Sequence, residues 1–185
     1  MNSTNVPTMI DTPRLWLVPV TESSLTELMA DQPIRLADRP LTIPPEWAGL
    51  WVDHPGALAY TLNSLQTDPD LHTLGWGAYF SVHRADHALV GMGGFKGRPD
   101  ETGTVEIGYS IVDPYRHQGL ATETARGLVQ FAFSRPDVRR VMAHTLAVEN
   151  HSNRLLQSIG FHYNGLVHDP DDGDVWQWII ARTNN

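Results

Sequence analysis

No cysteine occurs among the 185 residues. That excludes disulfides, thiolate metal sites and cysteine nucleophiles, and it leaves the redox compartment open because a thiol-free chain tolerates either. Lysine is nearly absent as well. Lys96 is the single one among 13 basic residues, the rest being Arg, which is a compositional bias rather than a signal. Positive charge is in deficit overall, with a formal net charge of −8 at pH 7. A chain of that sign lacks the basic stripe that nucleic-acid binding requires. It mildly favours cationic partners such as amines, although acidity of this size mostly serves solubility. No apolar run approaches the roughly 20 residues of a membrane span. The start, "MNSTNVPTMIDTP", lacks the charged-then-apolar pattern of a signal peptide, so a cytoplasmic protein with no membrane and no nucleic-acid partner is expected. Repeats, low-complexity tracts and interdomain linkers are also missing, which makes one domain over residues 1–185 the expectation. At 41% hydrophobic and 18% charged residues the chain can bury a core without staples.

What is present is a change of hydrophobic period along the chain. "RLWLVPV" (14–20) alternates as a strand does, and "TESSLTELMA" (21–30) opens with Thr and Glu as a helix does. Residues 31–58 are Pro-rich and carry Trp47 and Trp51, whose spacing also fits a helix face packed on the core. "GALAYTLNSLQTD" (56–68) has helical spacing. Three alternating runs at 78–84, 87–97 and 104–112, parted by the turn signals "RADH" and "GRPDETG", read as an antiparallel meander. From Leu120 to Phe133 the period becomes that of a helix ending before Pro136. "RVMAHTLAV" (140–148) is a strand, and "SNRLLQSIGF" (152–161) a short helix closed by Gly160 as a left-handed cap. Two strands near 161–168 and 175–181 flank the turn "DPDDGD". The strand–helix–strand unit over 104–146 should set two strands parallel, giving an α+β fold with a mixed sheet.

The informative stretch is "DPYRHQGLATETARG" (113–127), where a strand ends in a polar turn with Gly119 at a helix start. A helix N-terminus offers free N–H groups and the positive end of a dipole, which suits a phosphate. Taken alone, "RHQGLA" fits an anion cradle and a plain tight turn equally. It is neither a P-loop nor a G-x-G-x-x-G fingerprint. In its context, after "VEIGYSIVDPY", it resembles the R/Q-x-x-G-x-G/A motif of the GNAT acetyltransferases, with Ala121 at the final small position. "HTLAVENHSNRLLQSIGF" (144–161) is similar to that family's Asn-then-Ser segment before a helix ending in Gly-Phe. "TPRLWLVPVT" (12–21) resembles the opening strand of the branch that holds the ribosomal-protein N-terminal acetyltransferases.

The resemblance implies a mostly antiparallel central sheet of about seven strands, flanked by helices and splayed between the fourth and fifth core strands. It implies acetyl-CoA as co-substrate, a small-molecule or peptide amine as acceptor, and a monomer or homodimer. Gln118, Gly119, Leu120 and Ala121 would hold the pyrophosphate by their backbone, with Arg116 and His117 alongside. The backbone of Ile111 and Val112 would pair with the pantetheine arm, and Asn150 would hydrogen-bond it. Acyl transfer to an amine needs a proton acceptor, an oxyanion partner and a proton for the departing thiolate. Glu106 is the candidate base, sharing one strand face with Gly108 and Ser110, and its bland alternative is a carboxylate paired with Arg or water. Ser152 is the candidate donor to the thiolate, and its bland role is a helix N-cap. The nine His form no ligand-spaced pair and "DPDDGD" lacks the closing Glu of a calcium loop, so no metal is expected. His144 sits on the fifth core strand and could reach the cleft, although a satisfied structural histidine is the preferred reading. Trp47, Trp51, Phe95, Lys96 and Arg98 are candidates for bordering the acceptor pocket. A rival from another class is a non-catalytic acyl-CoA-binding module, which needs the same turn but no proton path.

Overall fold

The protein is described by a computed structural model over residues 8–51, 56–170 and 173–183. In chain order it holds β1 (Ile10–Asp11), β2 (Leu15–Pro19), α1 (Glu22–Met29), β3 (Arg35–Leu36), β4 (Arg39–Pro40) and a 3-10 segment Pro45–Trp51. Next come α2 (Ala57–Thr67), α3 (Pro69–Thr73), β5 (Ala78–His83), β6 (Ala88–Phe95) and β7 (Thr104–Ile111). A 3-10 turn, Asp113–Tyr115, leads to α4 (Leu120–Ser134), β8 (Arg140–Leu146), α5 (His151–Ser158), β9 (His162–Asp169) and β10 (Gly173–Ala181). Among the described residues no helix is long and apolar enough to cross a membrane.

The main sheet runs β1-β2-β5-β6-β7-β8-β10-β9. Every neighbouring pair is antiparallel except β7 and β8, which are parallel. The α+β fold and the mostly antiparallel mixed sheet are as expected, but the strands number eight rather than seven. The extra one is β1, whose two residues pair Ile10 with Leu17 and Asp11 with Trp16. Two residues cannot show an alternation. The Pro-rich region also holds unexpected order in the β3–β4 hairpin. Ala37 and Asp38 turn it with φ of +50° and +62°, the geometry usually given to Asn-Gly.

The parallel pair decides the shape. Only Thr104–Arg140, Val105–Val141 and Glu106–Met142 are in register, yet β7 continues to Ile111 and β8 to Leu146. Beyond Glu106 the two strands part, where the splay was expected. Helix α4 bridges them, burying Leu120, Ala125, Leu128, Val129 and Ala132. Along β7 the alternation puts Val105 and Ile107, each 2% exposed, on the side of α4. Glu106, Gly108 and Ser110 take the other face.

The core beneath α4 is aromatic. Trp76, Tyr79, Phe95 and Phe131 meet mostly edge to face with centroids 5.0 to 6.5 Å apart. Such pairs contribute about 0.5–1.5 kcal/mol each beyond their buried area. The Arg98–Asp68 pair at 2.7 Å is exposed and screened by water, so it adds little beside them. Phe95 belongs to this cluster rather than to a pocket rim, and Trp47, 6% exposed, packs on Phe80, the core packing that its spacing favoured. The Trp51 side chain and the tip of "DPDDGD" at 171–172 lie outside the described residues.

The sheet edge is tied to α4 by one carboxylate. Glu123 Oε1 accepts from the Thr12 hydroxyl and the Arg14 N–H, both at 2.6 Å, and Oε2 accepts from Arg14 Nε at 2.7 Å. Burial pushes the Glu123 carboxyl up, but these bonds outweigh it and hold it below its ordinary 4.5. A depressed value means that the stabilisation is complete above the unfolded value and is lost as pH falls through the folded one. Glu123→Gln should therefore cost about 1 kcal/mol at pH 7, allowing for solvent screening at the half-exposed Arg14. Urea unfolding across pH should show that gap closing below about pH 4. A gap independent of pH would mean the carboxylate charge is not what holds the edge.

Candidate active site

At the end of β7 the chain makes the turn Arg116–Gly119 and enters α4. Gly119 is the N-cap residue, with φ +78°, and no side chain caps the helix. The first-turn N–H groups of α4 therefore lack an intrahelical partner. A non-glycine residue would be strained at Gly119, and a Cβ built there meets only Arg14 Nη2, at 3.5 Å. The space over the turn is otherwise open. Beside it runs a groove of about 320 Å³ lined by Pro13, Arg14, Gly119, Thr122, Glu123 and Arg126.

Arg14 braces this turn. Its Nη1 donates to the Gln118 carbonyl at 2.8 Å while its Nε holds Glu123. Nothing local in the sequence signals this role, because 104 positions separate Arg14 from Gln118. Arg116 turns back, its Nε donating to the Ile111 carbonyl at 2.9 Å and its Nη1 pairing with Asp113 at 2.7 Å. The ring of His117 stands edge-on to that of His151, 4.9 Å between centroids, so the starts of α4 and α5 meet.

The strand backbone corrects one expectation. Lys96 N–H donates to the Glu106 carbonyl and Val112 N–H to the Val90 carbonyl, so even-numbered residues of β7 bond toward β6. Odd-numbered residues face β8. The Val112 carbonyl also accepts from Tyr115 N–H, so Val112 turns its backbone away from the splay. Tyr109 and Ile111 present theirs to the splay instead, the Ile111 carbonyl being shared with Arg116.

The start of α5 corrects another. The N-cap is Asn150, whose Oδ1 accepts from Asn153 N–H at 3.1 Å, and Ser152 lies inside the first turn. Asn150 Nδ2 also donates to the Val148 carbonyl at 3.1 Å, so the side chain is largely committed to the turn. Ser152 is thereby freed from capping. Its neighbour is Tyr109, a residue that sequence reasoning passed over, reaching from β7 on the α4 side. The Tyr109 hydroxyl is buried and has no hydrogen bond of ordinary geometry. Burial pushes it up to about 12, with the nearby Ser152 hydroxyl acting the other way, so it keeps its proton at neutral pH.

On the opposite sheet face Glu106, 17% exposed, sits where the parallel pairing ends. Its Oε1 lies 2.6 Å from Lys96 Nζ and 2.9 Å from His144 Nδ1. The partner is therefore the chain's single lysine rather than an arginine, and His144 reaches the cleft residue. One pleat further on, a Cβ built on Gly108 meets no atom within 4 Å. A strand glycine facing empty space marks room for close approach by a ligand. Arg98 is engaged by Asp68 at 2.7 Å. Among the described residues no three His, Asp or Glu side chains gather as a metal ion would need.

The acetyltransferase (GNAT) domain model matches residues 14–162. The chain belongs to the GNAT acetyltransferase family. Among curated proteins, the uncharacterised N-acetyltransferase YjdG of Bacillus subtilis (strain 168) is 34% identical over 92 residues. That match covers 50% of this chain and 55% of YjdG, so the chain spans about half the length of this relative. YoaA of the same organism, also an uncharacterised N-acetyltransferase, is 28% identical over 134 residues, 68% of this chain and 76% of the relative. The solved structure of RimL, a ribosomal L7/L12 α-N-protein acetyltransferase in complex with coenzyme A, superposes with a TM-score of 0.69. It is 18% identical and the match covers 94% of this chain and 98% of that one, a likeness that shows the fold alone. In this GNAT chain Glu106 lies beside the splay and the turn at Gly119 opens α4, while Asn150 rather than Ser152 caps α5.

Capping and chemistry at α5 are separable by mutation. Asn150→Ala should lower stability by about 1 kcal/mol, the usual cost of losing a side-chain cap. Ser152→Ala should change it by no more than about 0.5 kcal/mol, as for a residue outside such features. Chemical unfolding of both variants decides, and the reverse order would restore Ser152 as the cap.

Proposed function

We propose that the protein transfers the acetyl group of acetyl-CoA directly to a primary amine within a ternary complex. The observation that carries this is the splay of β7 from β8 just past Glu106, with the uncapped start of α4 at its mouth. The N–H groups of Gly119, Leu120 and Ala121 suit a pyrophosphate, Arg14 and Arg116 fix the turn that presents them, and His117 and Gln118 border it. The splay-facing backbone of Tyr109 and Ile111 suits an extended pantetheine arm, which would lie as an added strand. Asn150, held in its cap, shapes the turn beneath that arm and can offer it only a second amide hydrogen.

The amine nitrogen forms a bond to the thioester carbon and the C–S bond breaks. One proton leaves nitrogen and one reaches sulfur, so no further reactant is required. Glu106 takes the first, directly or through water, from the face that Gly108 leaves open. Ser152, released from capping and backed by the protonated Tyr109, supplies a hydroxyl for the departing thiolate. The RimL neighbour is described as acting on a protein α-amino group, which supports a peptide N-terminus as the acceptor and leaves a small-molecule amine as the second class. Release of free thiol from acetyl-CoA, followed with a chromogenic disulfide across N-terminal peptides and simple amines, tests the activity. No release with any amine would sink it.

Two variants test the placement. Gly108→Val puts a side chain into open space on an ordinary strand, so the melting temperature should hold while kcat/KM falls at least about tenfold, or 1.4 kcal/mol. Unchanged kcat/KM would move the reacting groups away from this face. Glu106→Gln keeps size and should leave acetyl-CoA affinity by calorimetry nearly unchanged. Its kcat/KM should drop by roughly 10²–10⁴, the range for one general base, and less at high pH where the amine is already free. A small offset constant with pH would make Glu106 structural.

A further inference from the structure

Glu106 is one member of a polar line that crosses five consecutive strands of the sheet. Lys96, at the end of β6, reaches Glu106 on β7, and Glu106 meets His144 on β8. His144 Nε2 lies 3.2 Å from Gln177 Nε2 on β10. Gln177 Oε1 in turn accepts from Asn164 Nδ2 on β9 at 2.6 Å. Asn164 can do this because the β9–β10 register slips there. Gln177 pairs with Gly165 and Trp178 with Tyr163, which leaves Asn164 as the extra residue of a bulge. Bulges re-aim a side chain in this way.

The line has a direction. With its oxygen committed to Asn164, the Gln177 amide turns its N–H toward His144 Nε2, which must then accept. The proton of the neutral ring is left on Nδ1, where it donates to Glu106. Protonating His144 would require the Gln177 and Asn164 amides to turn together, since Nε2–H needs an acceptor. The charged groups facing Glu106 among the described residues are Lys96 from β6 and His144 from β8, and the side chain facing His144 from β10 is neutral.

We propose that His144 is a positioning residue for the reaction. Its tautomer is set by Gln177 and Asn164, and its Nδ1–H aims Glu106 to receive the acceptor's proton. This rests on Glu106 being the proton acceptor. Removing a hydrogen bond to a carboxylate favours its protonated form, so the effect appears in the pH dependence.

Three variants test it. His144→Leu removes the donor. His144→Asn puts an amide N–H near the position of Nδ1. Gln177→Leu removes the lock without touching Glu106. In the wild type, ¹⁵N NMR of His144 should show the Nδ1–H tautomer, and Gln177→Leu should give a mixture. On one amine, whose own titration is common to all variants, the acidic limb of kcat/KM should move up by about one pH unit in His144→Leu. That shift is the worth of one charge-assisted hydrogen bond. His144→Asn should restore it, with acetyl-CoA affinity unchanged in all three. An Nε2–H tautomer in the wild type, or a loss equal at all pH and not rescued by Asn, would overturn the proposal. Absence of thiol release by the wild type would instead fail the acetyl-transfer reading, while the NMR result would still decide the lock. Should His144→Leu not fold, Gln177→Leu and the wild-type tautomer carry the test.

Discussion

Three residue pairs, from Thr104–Arg140 to Glu106–Met142, hold the two halves of the sheet side by side. To one side lie β1, β2, β5, β6 and β7, and to the other β8, β10 and β9. Each half is internally antiparallel and well paired, so neither needs the other for its own hydrogen bonds. At the seam the requirement is different. Past Glu106 the odd-numbered backbone groups of β7 face a strand that has moved away, and buried groups left unpaired are costly. A fold tolerates such a seam when something else fills it. Arg116 takes the Ile111 carbonyl. The remainder would suit the extended ligand of the proposed function.

The mouth of the cleft is built from distant parts of the chain. Glu123 sits in the first turn of α4, where a negative charge is favoured by the helix dipole. It gathers Thr12 and Arg14 from the sheet edge, and Arg14 then reaches the Gln118 carbonyl. That geometry keeps the carboxylate on the flank of α4 while the N–H groups at its tip stay free. A capping Ser or Asp at position 119 would satisfy those groups internally. Gly119 leaves them unmet and supplies the left-handed φ that the turn requires.

The long periodic segments were legible in the sequence. The meander, α4 with its stop before Pro136, and the left-handed Gly160, at φ +101°, follow from alternation, helical spacing and turn residues. So does the placing of Glu106 and Gly108 on one face. What was not legible depends on contacts across the chain. A two-residue strand such as β1 has no period, and the β3–β4 turn uses Ala37 and Asp38, whose positive φ is imposed by the hairpin. The short α3 is capped by Asp68, a residue that also closes α2, so one apolar run hides two helices. Choosing between Asn150 and Ser152 as cap turns on which backbone N–H each can reach, and spacing alone does not say. Val112 failed as a ligand contact because strand parity, set by the Lys96–Glu106 backbone bond, points it toward β6. Arg14 was invisible as a site residue because its partner Gln118 is 104 positions away, and His144, on a strand able to reach the cleft, gave no sign of its partner Glu106, 38 positions away.

The two faces of the sheet carry different chemistry for a physical reason. On the side of α4 the environment is dry and aromatic, and its polar groups at the seam, Tyr109 and Ser152, are neutral. Neutral donors there would suit the departing thiolate of the proposed reaction, because a fixed negative charge would repel it. On the other face Glu106 is negative but not isolated, since Lys96 and His144 share one of its oxygens. A carboxylate desolvated without partners would protonate and cease to be a base. One held only by a strong cation would be a weak proton acceptor. Beside the Lys96 cation, the imidazole N–H adds a hydrogen bond to the anion without adding a second full charge. For that the ring must keep its proton on Nδ1, and the alternation of donors and acceptors from Asn164 through Gln177 enforces it. The bulge in β9 is thereby connected to the splay between β7 and β8, although two strands lie between them. A sheet gains from having a carboxylate at its weakest seam, Glu106, tied to both halves.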